Sequence, residues 1–133
     1  LLPGLNDFLE THRMAGLKMA IGSAAIMENV DFVLDGCKVR NYFDAIVSAG
    51  EVVKSKPDPE TFLRCAHQLR LSAQQCLVFE DTPKGVECAV NAGMPCVVIL
   101  TTHEKEEFQS MSGSIVSIRS QSACSLNSPP IWA

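Results

Sequence analysis

Apolar positions along the chain fall into two alternating kinds of segment. Short continuous runs give way to stretches in which apolar residues recur every three or four positions. Pro3-Gly4 opens an amphipathic stretch through Met14, with Leu5, Phe8, Leu9 and His12 near helical spacing, and Gly16 ends it. "LKMAIGS" (Leu17 to Ser23) is an apolar run of strand length, of the kind buried on both faces in a parallel sheet. From Ala24 to Leu34 the spacing turns helical, with Gly36 as the expected left-handed residue after the helix. "FDAIVSAG" (Phe43 to Gly50) holds a second strand around Ala45 to Val47. Asp58-Pro59-Glu60-Thr61 reads as a helix start, with Asp58 as cap and Pro59 at the first helical position. That helix buries Phe62, Cys65, Ala66 and Leu69. A third strand, Cys76 to Glu80, leads into a helix from Pro83 to Ala92, closed by Gly93; "PCVVIL" (Pro95 to Leu100) is a fourth. This alternation predicts an α/β fold around a parallel sheet.

The pattern weakens near the end. Ile115 to Ile118 is one more candidate edge strand, and the serine-rich stretch from Ser120 to Ala133 reads as a disordered tail. The predicted organisation is thus a core over residues 1–119 and a tail over 120–133.

Composition adds limits. The 133 residues are 47% hydrophobic and 20% charged, as expected of one globular domain. A net charge of −4 argues against nucleic acid or an acidic membrane as the main partner. No apolar run approaches the ~18 residues that cross a bilayer. The cysteines Cys37, Cys65, Cys76, Cys88, Cys96 and Cys124 form no C-x-x-C pair. Most lie in apolar helix or strand patterns, where a free thiol packs as a small hydrophobe. An intracellular, cytoplasmic setting is the expectation that follows. Leu1 in place of methionine suggests a chain cut from something longer.

In an open parallel sheet, ligands bind beyond the carboxyl ends of the strands. Three chemical groups fall there. Ser23 ends the first strand, and its hydroxyl with the amides of Ala24 and Ala25 suits an anion, or alternatively a simple helix cap. Lys56 follows the second strand by a short loop and is itself followed by Pro57 and Pro59, which restrict the loop and help aim an ammonium at a phosphate. Glu80 and Asp81 end the third strand. Adjacent carboxylates repel, so a cation should compensate them, and Mg2+ takes one or two carboxylates and fills its shell with waters and phosphate oxygens. An acidic helix N-terminus needs only one of the two. His103 lies just past the fourth strand, within reach of the site, but is read as a solvated histidine. His12 and His67 lie in helical stretches without partners at ligand spacing, and "HEKEEF" (His103 to Phe108) reads as a solvated helix.

This order of groups resembles the haloacid dehalogenase-like (HAD) hydrolase superfamily, in particular its β-phosphoglucomutase-like phosphatases. "KMAIGSAA" is similar to the motif whose hydroxyl binds phosphate, here Ser23. "SKPDPETF" resembles the motif whose lysine neutralises phosphate and nucleophile, here Lys56. "VFEDTPKGVECAVNAGM" resembles the magnesium-holding motif, with Asp81 a direct ligand and Glu80 beside it. "YFDAIVSAGEV" matches the usual lead-in to the lysine, and the likeness spans roughly Pro3 to Phe108.

The resemblance implies a three-layer, Rossmann-like sheet and Mg2+-dependent phosphoryl transfer from a sugar phosphate through an aspartyl phosphate. It also implies a first strand ending in Asp-x-Asp-Gly-Thr, which supplies nucleophile and general acid/base. No such motif occurs in the 133 residues. In "VLDGC" the partner position of Asp35 is Val33, so Asp35 is read as a helix C-terminal residue. In the family the substrate-selecting cap is inserted ahead of a Pro-Gly-led helix such as the one at Pro3-Gly4.

The expectation is therefore a HAD-like core that is catalytically impaired and lacks the central strand between those ending at Ser23 and Glu80. Its alternative is a non-catalytic truncated or spliced chain that acts as an interaction module or has no role. Two strand edges would then carry unmatched groups, at about 1–3 kcal/mol for each one buried unpaired. A phosphoacceptor receiver domain uses similar groups, but with its acids first.

Overall fold

The structure, a computed structural model, describes residues 2–101, 103–111 and 115–119, the last five by backbone alone. The helices are α1 (Leu5–Met14), α2 (Met27–Gly36), α3 (Glu60–Leu69) and α4 (Pro83–Asn91). The strands are β1 (Ala20–Gly22), β2 (Ala45–Val47), β3 (Val78–Glu80), β4 (Cys96–Leu100) and β5 (Ile115–Arg119). All pairings are parallel, as the buried apolar runs predict. The strands form two separate sheets, β1-β2 and β3-β4-β5. Among the described residues, β1 and β3 therefore each keep one edge without a strand partner, and the two edges do not close on each other.

Local chemistry explains the helix ends. Asp58 Oδ1 accepts the Glu60 N–H at 3.0 Å just ahead of α3, while Pro59, expected at the first helical position, is the cap residue. Thr82 Oγ1 accepts the Gly85 N–H at 3.2 Å at the start of α4, with Pro83 in its first turn. Gly16 (φ 76) and Gly93 (φ 71) take left-handed conformations just after α1 and α4.

Three further boundaries differ from expectation. The helix expected from Ala24 starts at Met27, because Ser23 Oγ accepts the Ala25 N–H at 3.1 Å and closes a local turn, while Ile26 is the extended cap residue. Gly36 lies inside α2, and Lys38 (φ 57) takes the left-handed position instead. The Arg40 guanidinium binds both Asp31 and Asp35 at 2.6 Å, clamping that end of the helix and confirming Asp35 as a structural residue. Finally, "HEKEEF" is a 3-10 turn over Lys105–Phe108 whose Phe108 is buried, since that ring joins the core beside α4 and β4. The tail expected over 120–133, with Cys124, lies outside the described residues.

The layers follow from side-chain alternation. Ile21 and Ile46 face a core built with Leu9 of α1 and Val30 and Leu34 of α2. On the other face, Gly22 meets Thr61 and Phe62 of α3. A larger core joins Phe62 and Ala66 of α3 to Val86, Cys88 and Ala89 of α4 and to Val78, Cys96 and Val98. Helices thus cover both faces of β1-β2. Phe79 of β3 points away from the α4 side and meets Phe8 of α1 edge-on, ring centroids 5.4 Å apart. Among the described residues no helix is long and apolar enough to cross a membrane.

Cys65, Cys88 and Cys96 are buried free thiols, as their apolar patterns imply. Burial pushes the Cys65 thiol up to about 11 and the Cys96 thiol up to about 12. An unfolded thiol ionises near its ordinary value, so folding is favoured fully below about pH 8.5 and that contribution is lost as pH climbs toward the folded values. The urea midpoint is expected to fall between pH 8.5 and 11, less so in Cys65→Ala/Cys96→Ala than in the parent. A flat profile common to both proteins would contradict this.

Candidate functional site

The C-terminal ends of β1 and β3 meet at one side chain. Lys56, in the loop before α3, donates from Nζ to the Gly22 carbonyl at 3.2 Å and to Glu80 Oε1 as an ion pair. Gly22 is the last residue of β1 and Glu80 the last of β3, so this ammonium bridges the two sheets. The Phe62 ring centroid lies 4.4 Å from the ammonium and adds a cation–π contact. The lysine and glutamate side chains are only 11% and 10% exposed.

Glu80 is held from both oxygens. Its Oε2 accepts the backbone N–H of Asp81 at 3.1 Å and of Thr82 at 3.4 Å, and the Thr82 hydroxyl at 3.1 Å. With Lys56 on Oε1, the carboxylate accepts four hydrogen bonds, three of them at Oε2. Gly85 makes this geometry possible, because a Cβ there would lie 2.0 Å from the Glu80 carboxyl carbon. The neighbour that needs the space left by Gly85 is thus Glu80 itself.

Of the residues singled out from the sequence, Lys56 and Glu80 are in direct contact. Ser23 and Asp81 stand one residue beyond Gly22 and Glu80, flanking that contact, but their side chains bond elsewhere. Ser23 Oγ holds the Ala25 amide, and Ala24 lies exposed in the same bend. Asp81 Oδ2 accepts the Thr101 hydroxyl at 3.0 Å. Thr101 follows the end of β4, so the rule that sites gather beyond strand ends would have flagged it. His103 is turned away in a contact with Glu107 at 2.9 Å, and His12 bonds the Phe8 carbonyl at 2.7 Å. A shallow surface groove of about 520 Å³ beside Val53, Glu60, Leu63 and His67 has none of these site residues in its lining. It is therefore not the same feature.

The donors suit a hard cation in type: carboxylates from Glu80 and Asp81, a carbonyl from Gly22 and a hydroxyl from Thr101. One cation, the Lys56 ammonium, already sits against the Gly22 carbonyl and the Glu80 carboxylate. Asp81 is the carboxylate not engaged by an ammonium. Among the described residues no group of three or more His, Cys, Asp or Glu side chains surrounds a single point.

Comparison with known proteins agrees with this fold. The family model for haloacid dehalogenase-like hydrolases matches residues 1–99. The fructose-1-phosphate phosphatase of Escherichia coli is 40% identical over 79 residues, which are 59% of this chain and 42% of that protein. A Thermotoga maritima structure, proposed to be a β-phosphoglucomutase, superposes with a TM-score of 0.85 at 23% identity, covering 94% of this chain and 58% of that one. Rhodobacter sphaeroides CbbY in complex with xylulose-1,5-bisphosphate gives 0.77 at 24% identity, covering 87% and 53%. The chain spans about two fifths of the length of the first curated relatives it matches. Its five parallel strands in two small sheets make an incomplete version of the neighbours' α/β core. The chain belongs to the haloacid dehalogenase-like hydrolase family.

Proposed function

We propose that this chain carries the phosphate- and magnesium-holding part of a phosphoryl-transfer site that accepts a phosphorylated sugar. The observation that carries the reading is the Lys56 ammonium at the junction of β1 and β3, touching both strand ends. The likeness to a fructose-1-phosphate phosphatase supports the substrate class. In this reading Ser23 and the neighbouring Ala24 amide receive phosphate oxygens, and Lys56 supplies the opposing charge. Asp81 is the direct magnesium ligand, its carboxylate positioned by Thr101. Glu80 is the second carboxylate, reached by the metal only when Lys56 lets go. Bound Mg2+ would add charge stabilisation at the phosphoryl oxygens.

The 133 residues hold no Asp-x-Asp-Gly-Thr, so no carboxylate is placed to attack phosphorus. Bound substrate is held but not cleaved, because loss of a covalent nucleophile removes the path that splits a hard step into two easier ones. The open edges of β1 and β3 favour, as a second reading, a non-catalytic module that pairs with another strand.

Two measurements on the 133-residue chain test the proposal. Incubation with fructose 1-phosphate and Mg2+, followed by phosphate colorimetry, is expected to give no release above buffer. Inorganic phosphate is expected to bind saturably when Mg2+ is present. Clear Mg2+-dependent release would overturn the impaired reading, and absence of any phosphate binding would overturn the proposed seat.

A further inference from the structure

The buried Lys56–Glu80 pair has a consequence for how ligands enter. Lys56 is the cation a phosphate would need, yet its charge is matched by Glu80, with both side chains nine-tenths covered. Its ammonium has three protons, and Gly22 and Glu80 take two of them. Glu80 is engaged at both oxygens, with Oε1 on Lys56 and Oε2 on three donors from Asp81 and Thr82. Lys56, Glu80 and Asp81 together carry one net negative charge, which disfavours an incoming phosphate. A divalent ion would turn that sum positive.

We propose that Lys56 and Glu80 form an internal latch: the ammonium holds the Glu80 carboxylate until a divalent cation competes for it, and only then faces a phosphate. The inference rests on the phosphate-and-magnesium reading above and adds to it an order and a coupling. The cation approaches from Asp81, whose carboxylate is free of any ammonium, and draws Glu80 Oε1 away from Nζ. Glu80 Oε2 stays pinned by Thr82 and the two amides, so the carboxylate pivots and does not leave. Gly85 gives no room for retreat toward α4. Lys56 keeps its bond to the Gly22 carbonyl, next to Ser23, so the freed proton donor remains beside the phosphate-binding turn. Metal and phosphate then help each other, and by linkage each raises the other's affinity by the same factor. That factor is expected to be about tenfold or more.

A Mg2+–phosphate contact alone would also couple the two ligands, so the test reads the lysine with metal and no phosphate. In protein labelled with 15N at lysine side chains, the buried, hydrogen-bonded Lys56 ammonium should give a slowly exchanging signal. Lys54, two residues away and exposed, is the internal reference. Addition of Mg2+ alone is expected to shift the Asp81 amide and to move or broaden the Lys56 signal, leaving Lys54 unchanged. In Glu80→Gln, Mg2+ should no longer change the Lys56 signal. If Mg2+ moves the Asp81 amide and leaves Lys56 in place, the latch is wrong and the metal reading stands. If Mg2+ moves neither, the metal seat is wrong and the latch goes with it. A Lys56 response that persists in Glu80→Gln also rejects the latch.

Discussion

Replacing Lys56 by alanine is expected to destabilise the fold by about 3–5 kcal/mol, because it strands a buried carboxylate. Glu80 is 10% exposed and, among the described residues, has no other cation in contact. The change also removes the side chain that ties the ends of β1 and β3 together and covers Phe62. Surface pairs make the contrast. Arg13–Glu10, with side chains 50% and 41% exposed, should cost no more than about 1 kcal/mol when Arg13 is truncated. Urea denaturation of the two variants compares them directly. The account expects the double variant Lys56→Met/Glu80→Gln to recover much of the loss, since neither charge is then left buried alone. A Lys56→Ala cost as small as the surface one would show that the pair is open to water.

Gly85→Ala is expected to act on the same pair from the other side. A methyl group there would fall 2.0 Å from the Glu80 carboxyl carbon, and that carboxylate is anchored by Lys56 and Thr82. Accommodation requires either rupture of those bonds or a shift of the first turn of α4. The expected cost is about 1–3 kcal/mol, against the gain of roughly 0.5–1 kcal/mol usual when a helical glycine becomes alanine. Gly36→Ala is the control, because nothing lies within 4 Å of a Cβ at that helical position. Thermal melts should rank Gly36→Ala at or above the parent and Gly85→Ala well below it. Equal behaviour of the two variants would remove the steric argument.

Much of this fold could be read from the chain because its strands are buried runs and its helices carry explicit stop and start residues. "AIV" (Ala45 to Val47) and "CVVIL" (Cys96 to Leu100) are apolar throughout, and both became parallel strands. Thr82 caps α4 through a local bond, so sequence alone places that start, while the start at Asp58-Pro59 is read one residue early. Ser23 misled because a hydroxyl before a helical pattern can either cap the helix or close a turn onto its own neighbour. The competition is settled by where the following residues pack. Gly36 misled similarly: the Arg40 clamp on Asp31 and Asp35 holds α2 beyond the point where a glycine would end it.

The site was legible as a set of residue types and less so as a set of contacts. Strand ends converge, so Lys56 and the acids could be placed together before any coordinates. Which acid meets the lysine was not legible, because adjacent residues on a strand point to opposite faces and the register decides which one. Glu80 turns inward to the ammonium, while Asp81 turns to Thr101. The meaning of Gly85 lay hidden for the same reason: a missing side chain is informative only when its neighbour is known.

The most direct test of the common seat is calorimetric titration of inorganic phosphate into the chain at saturating Mg2+, repeated with Asp81→Asn. The account expects one phosphate per chain, with affinity reduced about tenfold or more in the variant. Equal affinity in both proteins, or no uptake of phosphate by either, would contradict it.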